Sequence, residues 1–261
     1  MADESTGATT RIELPFPEET PRRLRITLGP GKLTVRPGAP EPWVTGTSRG
    51  DDGRSLPKIE HDDAATTISQ RGGGSFRLRR GLSPHLELAL GTAHPYALVL
   101  EGGASDTDCD LGGLPLESMI GEFGAGRVKI DASSPNPEPM KKLAIQAGAT
   151  HLTLSNAANF NAGEISIEGG AAAFQIDFGG EFRRDCHARI TTGVASLSIT
   201  IPRGMAAKVN ANTTLGSLSI GDGFMTRSGA YWTEAAVLGD TPVLTLDASS
   251  SLGSLNIRIG D

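Results

Sequence analysis

The side chains that could do chemistry are concentrated where charged residues alternate with small or apolar ones. The group comprises Asp106, Asp108, Asp110, Arg127, Lys129, Asp131 and His151. Paired carboxylates beside a base can cleave glycosidic bonds, so one hypothesis is an enzyme or binder that acts on polysaccharides. The same alternation fits a ladder of ion pairs on a solvated strand face. We favour the ladder, because the flanking turns are short and form no evident cleft.

The other candidate groups assemble no catalytic or metal-binding motif. Cys109 occupies a position that is Ile in neighbouring segments, which indicates a buried, apolar cysteine. Cys186-His187 could begin a metal site, but no second pair of ligands has the spacing that a metal requires. Gly72-Gly73-Gly74 lacks the Lys-Ser/Thr of a phosphate-binding loop and is interpreted as a turn. The sequence therefore predicts no catalytic residue, no metal, no cofactor and no enzymatic activity.

Short neutral side chains make a second candidate surface near the carboxyl end. They alternate with apolar residues, and a face of this kind loses little side-chain entropy when it packs against another subunit. The alternative, which we favour for these residues, is plain solvated surface. If the chain has an interaction face, the sequence predicts that it comprises Asp106, Asp108, Arg127, Lys129, His151, Ser196, Ser198, Ser217, Ser219, Ser254 and Asn256.

An internal repeat positions all these residues. Each unit reads as an alternating strand, a turn of glycine and small residues, and a second alternating strand. The small or apolar residues at the turns are Ala104, Ala125, Ala149, Ala171, Val194, Leu215 and Leu252. Their spacings are 21, 24, 22, 23, 21 and 37 residues, and the last equals one unit plus an insertion.

Apolar residues recur in the same columns of every unit, with the period of two that is typical of strands. A constant period with one glycine bend favours coils stacked in parallel over antiparallel hairpins. The sequence thus predicts an all-β fold, a single parallel β-solenoid of about nine coils of roughly 22 residues without significant helix. The predicted core columns contain Val128, Ile130, Leu152, Leu154, Phe174, Ile176, Leu197, Ile199, Leu218, Ile220, Leu255 and Ile257.

The organisation along the chain follows from this repeat. Residues 1–20 are predicted to be a flexible polar lead, residues 21–95 irregular coils and a cap, and residues 96–261 the regular solenoid. A long loop is predicted over 37–59, and a hairpin-like insertion over 221–242. The chain stops abruptly after Ile257-Arg-Ile259-Gly-Asp261, which predicts an exposed sheet edge at the carboxyl terminus.

Composition excludes several classes of function. The chain has 261 residues and a formal net charge of −6, so it lacks the basic surface that a nucleic-acid partner requires. No apolar run is long enough to span a membrane, and the amino terminus does not resemble a signal peptide. These features predict a cytoplasmic protein without direct membrane insertion, and they leave the cytoplasmic face of the envelope open.

Several motifs resemble the toastrack family of bacterial proteins. The pattern Pro-Tyr-x-Leu-x-Leu-x-Gly-Gly-Ala-Ser begins at Pro95, and Gly-x-Gly-Arg-Val begins at Gly124. Asn136-Pro-Glu and Asn159-Phe resemble the inter-coil loops of that family. Two Leu-Gly-Ser-Leu strands around a Gly-Phe-x-x-x-x-Gly-x-Tyr segment resemble the carboxy-terminal domain of LiaF-like envelope-stress proteins and adhesin-type β-solenoids. The resemblance, over about residues 20–261, implies a non-catalytic scaffold for protein contacts near the cell envelope.

Three functional hypotheses follow. The first is an interaction scaffold that binds a protein partner. The second is a self-associating or filament-forming structural protein, whose partner is another copy of the chain. The third is a β-helix that binds or cleaves polysaccharide.

Overall fold

The computed structural model describes residues 8–50, 56–62, 65–70 and 84–260. The strands are β1 (Ala8–Leu14), β2 (Arg23–Leu28), β3 (Gly31–Pro37), β4 (Val44–Gly50), β5 (Lys58–His61), β6 (Thr66–Gln70), β7 (His85–Leu90), β8 (Tyr96–Asp110), β9 (Leu116–Asp131), β10 (Met140–Ser155), β11 (Ala162–Asp177), β12 (Cys186–Pro202), β13 (Ala206–Ile220), β14 (Phe224–Arg227), β15 (Ala230–Thr233) and β16 (Val243–Gly260). A 3₁₀ turn spans Ala157–Phe160, and one short helix, α1, spans Glu234–Leu238. The turn predicted at Gly72-Gly73-Gly74 lies outside the described residues.

The strands stack as a parallel β-solenoid, which confirms the predicted fold. The described residues form nine coils, in the spatial order β6 with β7, β2 with β3, then β8, β9, β10, β11, β12, β16 and β13. Neighbouring coils pair in parallel with the register that the repeat predicts. Lys142 lies beside Glu164, and Glu164 beside His187, which are steps of 22 and 23 residues.

Each long strand bends near its middle and so contributes to two sheets. In β9 the inward-facing residues are odd-numbered from Met119 to Phe123 and even-numbered from Val128, because the chain turns between them. We call the halves before and after the bend the first leg and the second leg. The separate strands β2 and β3 pair with the first and second legs of β8, respectively.

A column of stacked glycines makes the bend possible. Gly103, Gly124, Gly148, Gly170 and Gly193 lie beside one another in successive coils. A Cβ on Gly148 would lie 2.6 Å from the carbonyl oxygen of Gly124, and one on Gly170 would lie 2.9 Å from that of Gly148. Only glycine lets the backbones approach this closely.

The core lies between the two legs and runs the length of the stack. Ten of the twelve predicted core residues are buried there; Ile220 is partly buried and Leu218 is 37% exposed. The buried ten are Val128, Ile130, Leu152, Leu154, Phe174, Ile176, Leu197, Ile199, Leu255 and Ile257. The prediction for Leu218 was wrong because β13 is the last coil, and among the described residues no further coil covers its second leg.

The strand order at the carboxyl end differs from the order in the sequence. The carboxy-terminal strand β16 lies between β12 and β13, where Leu255 pairs with Leu197 on one side and Leu218 on the other. The predicted exposed edge after Ile257 was therefore wrong, since Ile257 has a paired strand on each side. Because β13 and β16 both carry Leu-Gly-Ser-Leu, their sequences alone do not indicate which one is internal.

The segment between these two strands caps the last coil. Strands β14 and β15 form an antiparallel hairpin, and β15 pairs antiparallel with β13 at Lys208 and Val209. The Thr233 hydroxyl donates to the carbonyl of Met205 and accepts from the amide of Ala207, both at 2.8 Å. Phe224 and Tyr231 pack against the main core, as aromatic covers of the solenoid end.

The amino-terminal part is more ordered than its composition predicts. Within the predicted lead, Ala8–Leu14 form β1, and within the predicted 37–59 loop, Val44–Gly50 form β4. The alternating Ile12 and Leu14 are buried there, because β1 pairs antiparallel with β4, and β4 with β7. These strands close the end of the core opposite to the β14–β15 hairpin.

Candidate functional site

The eleven residues of the predicted interaction face lie on the outward side of the second-leg sheet. We call this surface the second-leg face. Alternation along each strand turns these side chains away from the core, and the parallel register arranges them in rows. One row contains Asp106, Arg127 and His151 and, further along the stack, Ser196, Ser254 and Ser217. The next contains Asp108, Lys129 and then Ser198, Asn256 and Ser219.

The amino-terminal half of the second-leg face is ionic. An Arg127 guanidinium nitrogen lies 2.8 Å from a carboxylate oxygen of Asp106, so the predicted pairing of these residues is present. This hydrogen bond holds the pKa of Asp106 below its ordinary value. Asp108 lies beside Lys129 in the register, as predicted, but its ion pair is with Arg36 of β3, at 2.9 Å. The Asp106 and Asp108 carboxylates are therefore held as partners of arginines.

Arg36 is the residue of this surface that the sequence did not reveal. It is separated from Asp108 by 72 residues, and β3 becomes the neighbour of β8 only because the first coils stack out of sequence order. The alternation of Lys32, Thr34 and Arg36 with buried Leu33 and Val35 could have indicated an outward row.

Asp110 differs from its neighbours because it organises a loop. Its carboxylate accepts hydrogen bonds from the amide of Gly112 (2.9 Å) and from the amide and hydroxyl of Ser133 (3.2 and 2.7 Å). Burial alone would raise the pKa of Asp110, but these hydrogen bonds outweigh it and the pKa is lowered. Asp131 likewise accepts from the side chain of Asn156, at 2.7 Å. These carboxylates belong to the inter-coil loops and are not free to act as a catalytic pair.

Buried asparagines hold the same loops together. The Asn136 amide nitrogen donates to the carbonyl of Leu116 at 2.8 Å, and that of Asn159 donates to the carbonyl of Ala132 at 2.7 Å. Each bond joins a loop to the previous coil. The loops that carry the motif resemblance are thus structural.

The carboxyl-terminal half of the second-leg face is rich in short hydroxyl side chains. The hydroxyls of Ser196 and Ser254 lie 3.1 Å apart across neighbouring coils. Charged residues lie only at its margin, where Arg258 donates to the hydroxyl of Thr200 at 3.3 Å beside a groove of about 710 Å³ that Gln175 and Asp177 also line. The rows of serines themselves carry no long side chain that would hinder a partner.

The cysteine and histidine candidates do not come together as a site. Cys109 and Cys186 are both free and buried, and burial raises the pKa of each thiol to about 12. Cys186 points inward, whereas its neighbour His187 points outward and contacts Asp247 at 2.8 Å. Within the described residues, no group of three or more His, Cys, Asp or Glu side chains could hold a metal ion.

The first-leg sheet also carries ions on its outward side. Lys142 pairs with Glu164 at 2.7 Å, and Asp247 accepts from Asn210 at 2.7 Å as well as contacting His187. Hydrogen bonds from Asn210 and His187 lower the pKa of Asp247. These contacts link side chains of neighbouring coils, as cross-strand pairs do in other sheets.

Comparison with known proteins identifies a family that matches this chain. Residues 2–155 match the family described as the N-terminal domain of toast_rack, DUF2154. The chain belongs to the toast_rack family. The match covers the amino-terminal cap and the coils through β10, which include the ionic half of the second-leg face. A search of curated proteins finds no match.

A solved structure shares the fold of this toast_rack protein. A "putative cell adhesion protein" from Clostridium sporogenes ATCC 15579 aligns with a TM-score of 0.52 and 16% identity, covering 98% of this chain and 100% of that one. A "putative adhesin" from Bacteroides fragilis NCTC 9343 aligns with a TM-score of 0.48 and 10% identity, with 98% of each chain covered. At these identities the likeness shows the fold alone. In the described part of the chain, no helix has the length and apolar character needed to cross a bilayer.

Proposed function

We propose that this toast_rack domain is a non-catalytic binding domain and that its second-leg face recognises a protein partner. The observation that carries the proposal is the arrangement of that face. Two rows cross the seven coils from β8 to β13 on one sheet and pass through Ala173 and Gln175 of β11, and they are ionic at one end and hydroxyl-rich at the other. Rigidity lowers the entropic cost of binding, and a pattern of charged and neutral regions gives a partner a defined orientation.

The chemistry of the face supports binding over catalysis. A catalytic carboxylate pair needs one group that accepts and one that donates a proton, with their pKa values moved apart. Here Asp106 and Asp108 each pair with an arginine, and the pKa of Asp106 is lowered. Because its pKa is lowered, the Asp106 carboxylate is not placed to donate a proton near neutral pH. The Clostridium sporogenes protein of the same fold is described as a "putative cell adhesion protein", a role that also depends on binding.

Affinity capture with variants on the two faces tests this proposal. The chain is immobilised and exposed to lysate of its native cell as wild type, as Arg127→Glu/Lys129→Glu, and as Lys142→Glu. Lys142 is an exposed lysine on the outward side of the first-leg sheet and serves as the matched control. We expect a protein that is retained by the wild type and by Lys142→Glu and is lost from the double variant. Equal retention by all three, with unchanged melting temperatures, would contradict the proposal.

A polysaccharide-acting function gives a different outcome. A panel of glycosidase and lyase substrates is incubated with the wild type and with Asp108→Asn. We expect no turnover by either. Turnover by the wild type that disappears in Asp108→Asn, while the fold is retained, would replace the binding proposal with an enzymatic one.

A further inference from the structure

We propose that two copies of this chain form a closed dimer by pairing the second legs of their β13 strands. The starting observation is an open sheet edge. Strand β13 pairs along one side with β16 over its whole length, and β15 covers its other side only at Lys208 and Val209. Among the described residues, no strand pairs with the outer side of residues 214–220.

The leucine side chains along this edge are partly uncovered. Leu215 is 70% exposed, and Leu218 is 37% exposed although it belongs to a column whose other large members are buried. Leu252 and Val194 continue the exposed apolar ridge from Leu215 along the neighbouring coils. Clusters of this kind on a surface indicate an interaction site.

The other described edges carry features that prevent strand addition. At the amino-terminal end, β1 exposes Arg11 and Glu13, which form an ion pair at 3.2 Å, and β5 exposes Lys58 and Glu60. Charged side chains on an edge discourage further pairing. Residues 211–220 contain no charged residue at all, in a chain with a net charge of −6. Among the described edges, the β13 edge alone lacks charged side chains that would oppose pairing with a second copy.

A second copy is the occupant that this edge fits. In an antiparallel pair related by a two-fold axis, Leu218 and Ile220 of both chains stay on the inward side, so the two cores become continuous. Ser217 and Ser219 of both chains then meet on the outward side. The Ser196–Ser254 contact shows that serines pack across neighbouring strands of this sheet. Because each copy uses its β13 edge and the other described edges carry charged residues, the assembly closes at two chains and does not grow into a filament.

Sedimentation velocity over a wide range of concentrations tests the dimer. We expect the wild type to pass from the 27.1 kDa chain to twice that mass. The variant Ser217→Lys/Ser219→Lys places like charges opposite one another across the interface and should raise the dissociation constant about tenfold or more. The control Ser196→Lys/Ser198→Lys changes the same two rows in an internal coil and should dimerise like the wild type.

The outcomes are distinct. A wild type that stays monomeric at every concentration overturns the proposal, and so does a dimer that the edge variant leaves unchanged or that the control variant weakens equally. Growth beyond two chains contradicts the closed assembly. Circular dichroism melts of both variants show that any loss of the dimer is not a loss of fold.

Discussion

Asp108 and Asp110 are two residues apart on one strand, but they have different roles. Asp108 pairs with Arg36, and both side chains are more than one-third exposed. Asp110 accepts three hydrogen bonds that fix the loops after β8 and β9. Solvent screens the first interaction, whereas removal of the second leaves loop donors without their acceptor.

Paired substitutions should separate these roles. We expect Asp108→Asn to change the free energy of unfolding by less than about 1 kcal/mol, and Asp110→Ala to lower it by about 1–3 kcal/mol. Because the folded-state pKa of Asp110 is lowered, its contribution is present above the ordinary value of 3.8 and is lost as the pH falls through the lower folded value. Urea denaturation at neutral and acidic pH measures both effects. Equal losses at neutral pH, or a difference that grows on acidification, would contradict this assignment.

The buried thiol of Cys109 packs in the core like an apolar side chain. It lies in the same column as Ile130, and its pKa is raised to about 12 by burial. We expect Cys109→Val to cost less than about 1.5 kcal/mol, as a nearly volume-conserving change. We also expect the native thiol to react with Ellman's reagent only after unfolding. Rapid labelling of Cys109 in the folded protein would show that the column is accessible to solvent.

At the scale of the strand, the stacked glycines set how closely the coils approach. A Cβ on Gly148 would lie 2.6 Å from a backbone oxygen, whereas one on Gly103, in the same column, would have its nearest neighbours at 3.6 Å. We expect Gly148→Ala to cost about 1–3 kcal/mol by overpacking, and Gly103→Ala to be neutral or slightly stabilising. Thermal melts of the two variants measure the difference. If the two substitutions lowered the melting temperature equally, the bends of neighbouring coils could move apart without loss of stability.

The position of β16 inside the stack makes a second prediction at this scale. Leu255 is fully buried between two coils, whereas Leu218 of the same column lies on the terminal one. We expect Leu255→Ala to cost about 2–5 kcal/mol, and Leu218→Ala clearly less, when both are measured at concentrations that keep the chain monomeric. The opposite ranking would place β13 inside and β16 at the end.

These two strands also show how far sequence could predict the fold. The period of about 22 residues and the Ile and Leu columns predicted the coils, their parallel register and the Asp106–Arg127 pair. The order of β13 and β16 could not be predicted from the sequence, because their matching Leu-Gly-Ser-Leu segments fit either position. The Arg36–Asp108 pair was missed because it depends on the first coils stacking out of order. Periodicity therefore indicates which residues of neighbouring repeats pair, but not which repeat is outermost.

At the scale of the whole molecule, the solenoid separates recognition from stability. The core columns and loop asparagines hold the coils together, and the second-leg face is left with short or ion-paired side chains on a rigid surface. The two ends differ as well, since the amino-terminal edges are charged and the β13 edge is neutral. We propose that one fold thus presents a face for a partner and an end for a second copy.

Carboxyl footprinting of the complex tests the recognition claim most directly. The protein captured from the lysate is added to the chain, and carbodiimide labelling is compared with that of the free chain. We predict that labelling of Asp106 and Asp108 falls on binding, while that of Glu122 and Glu168, exposed on the outward side of the first-leg sheet, is unchanged. Protection of Glu122 and Glu168, with Asp106 and Asp108 labelled as in the free chain, would contradict recognition through the second-leg face.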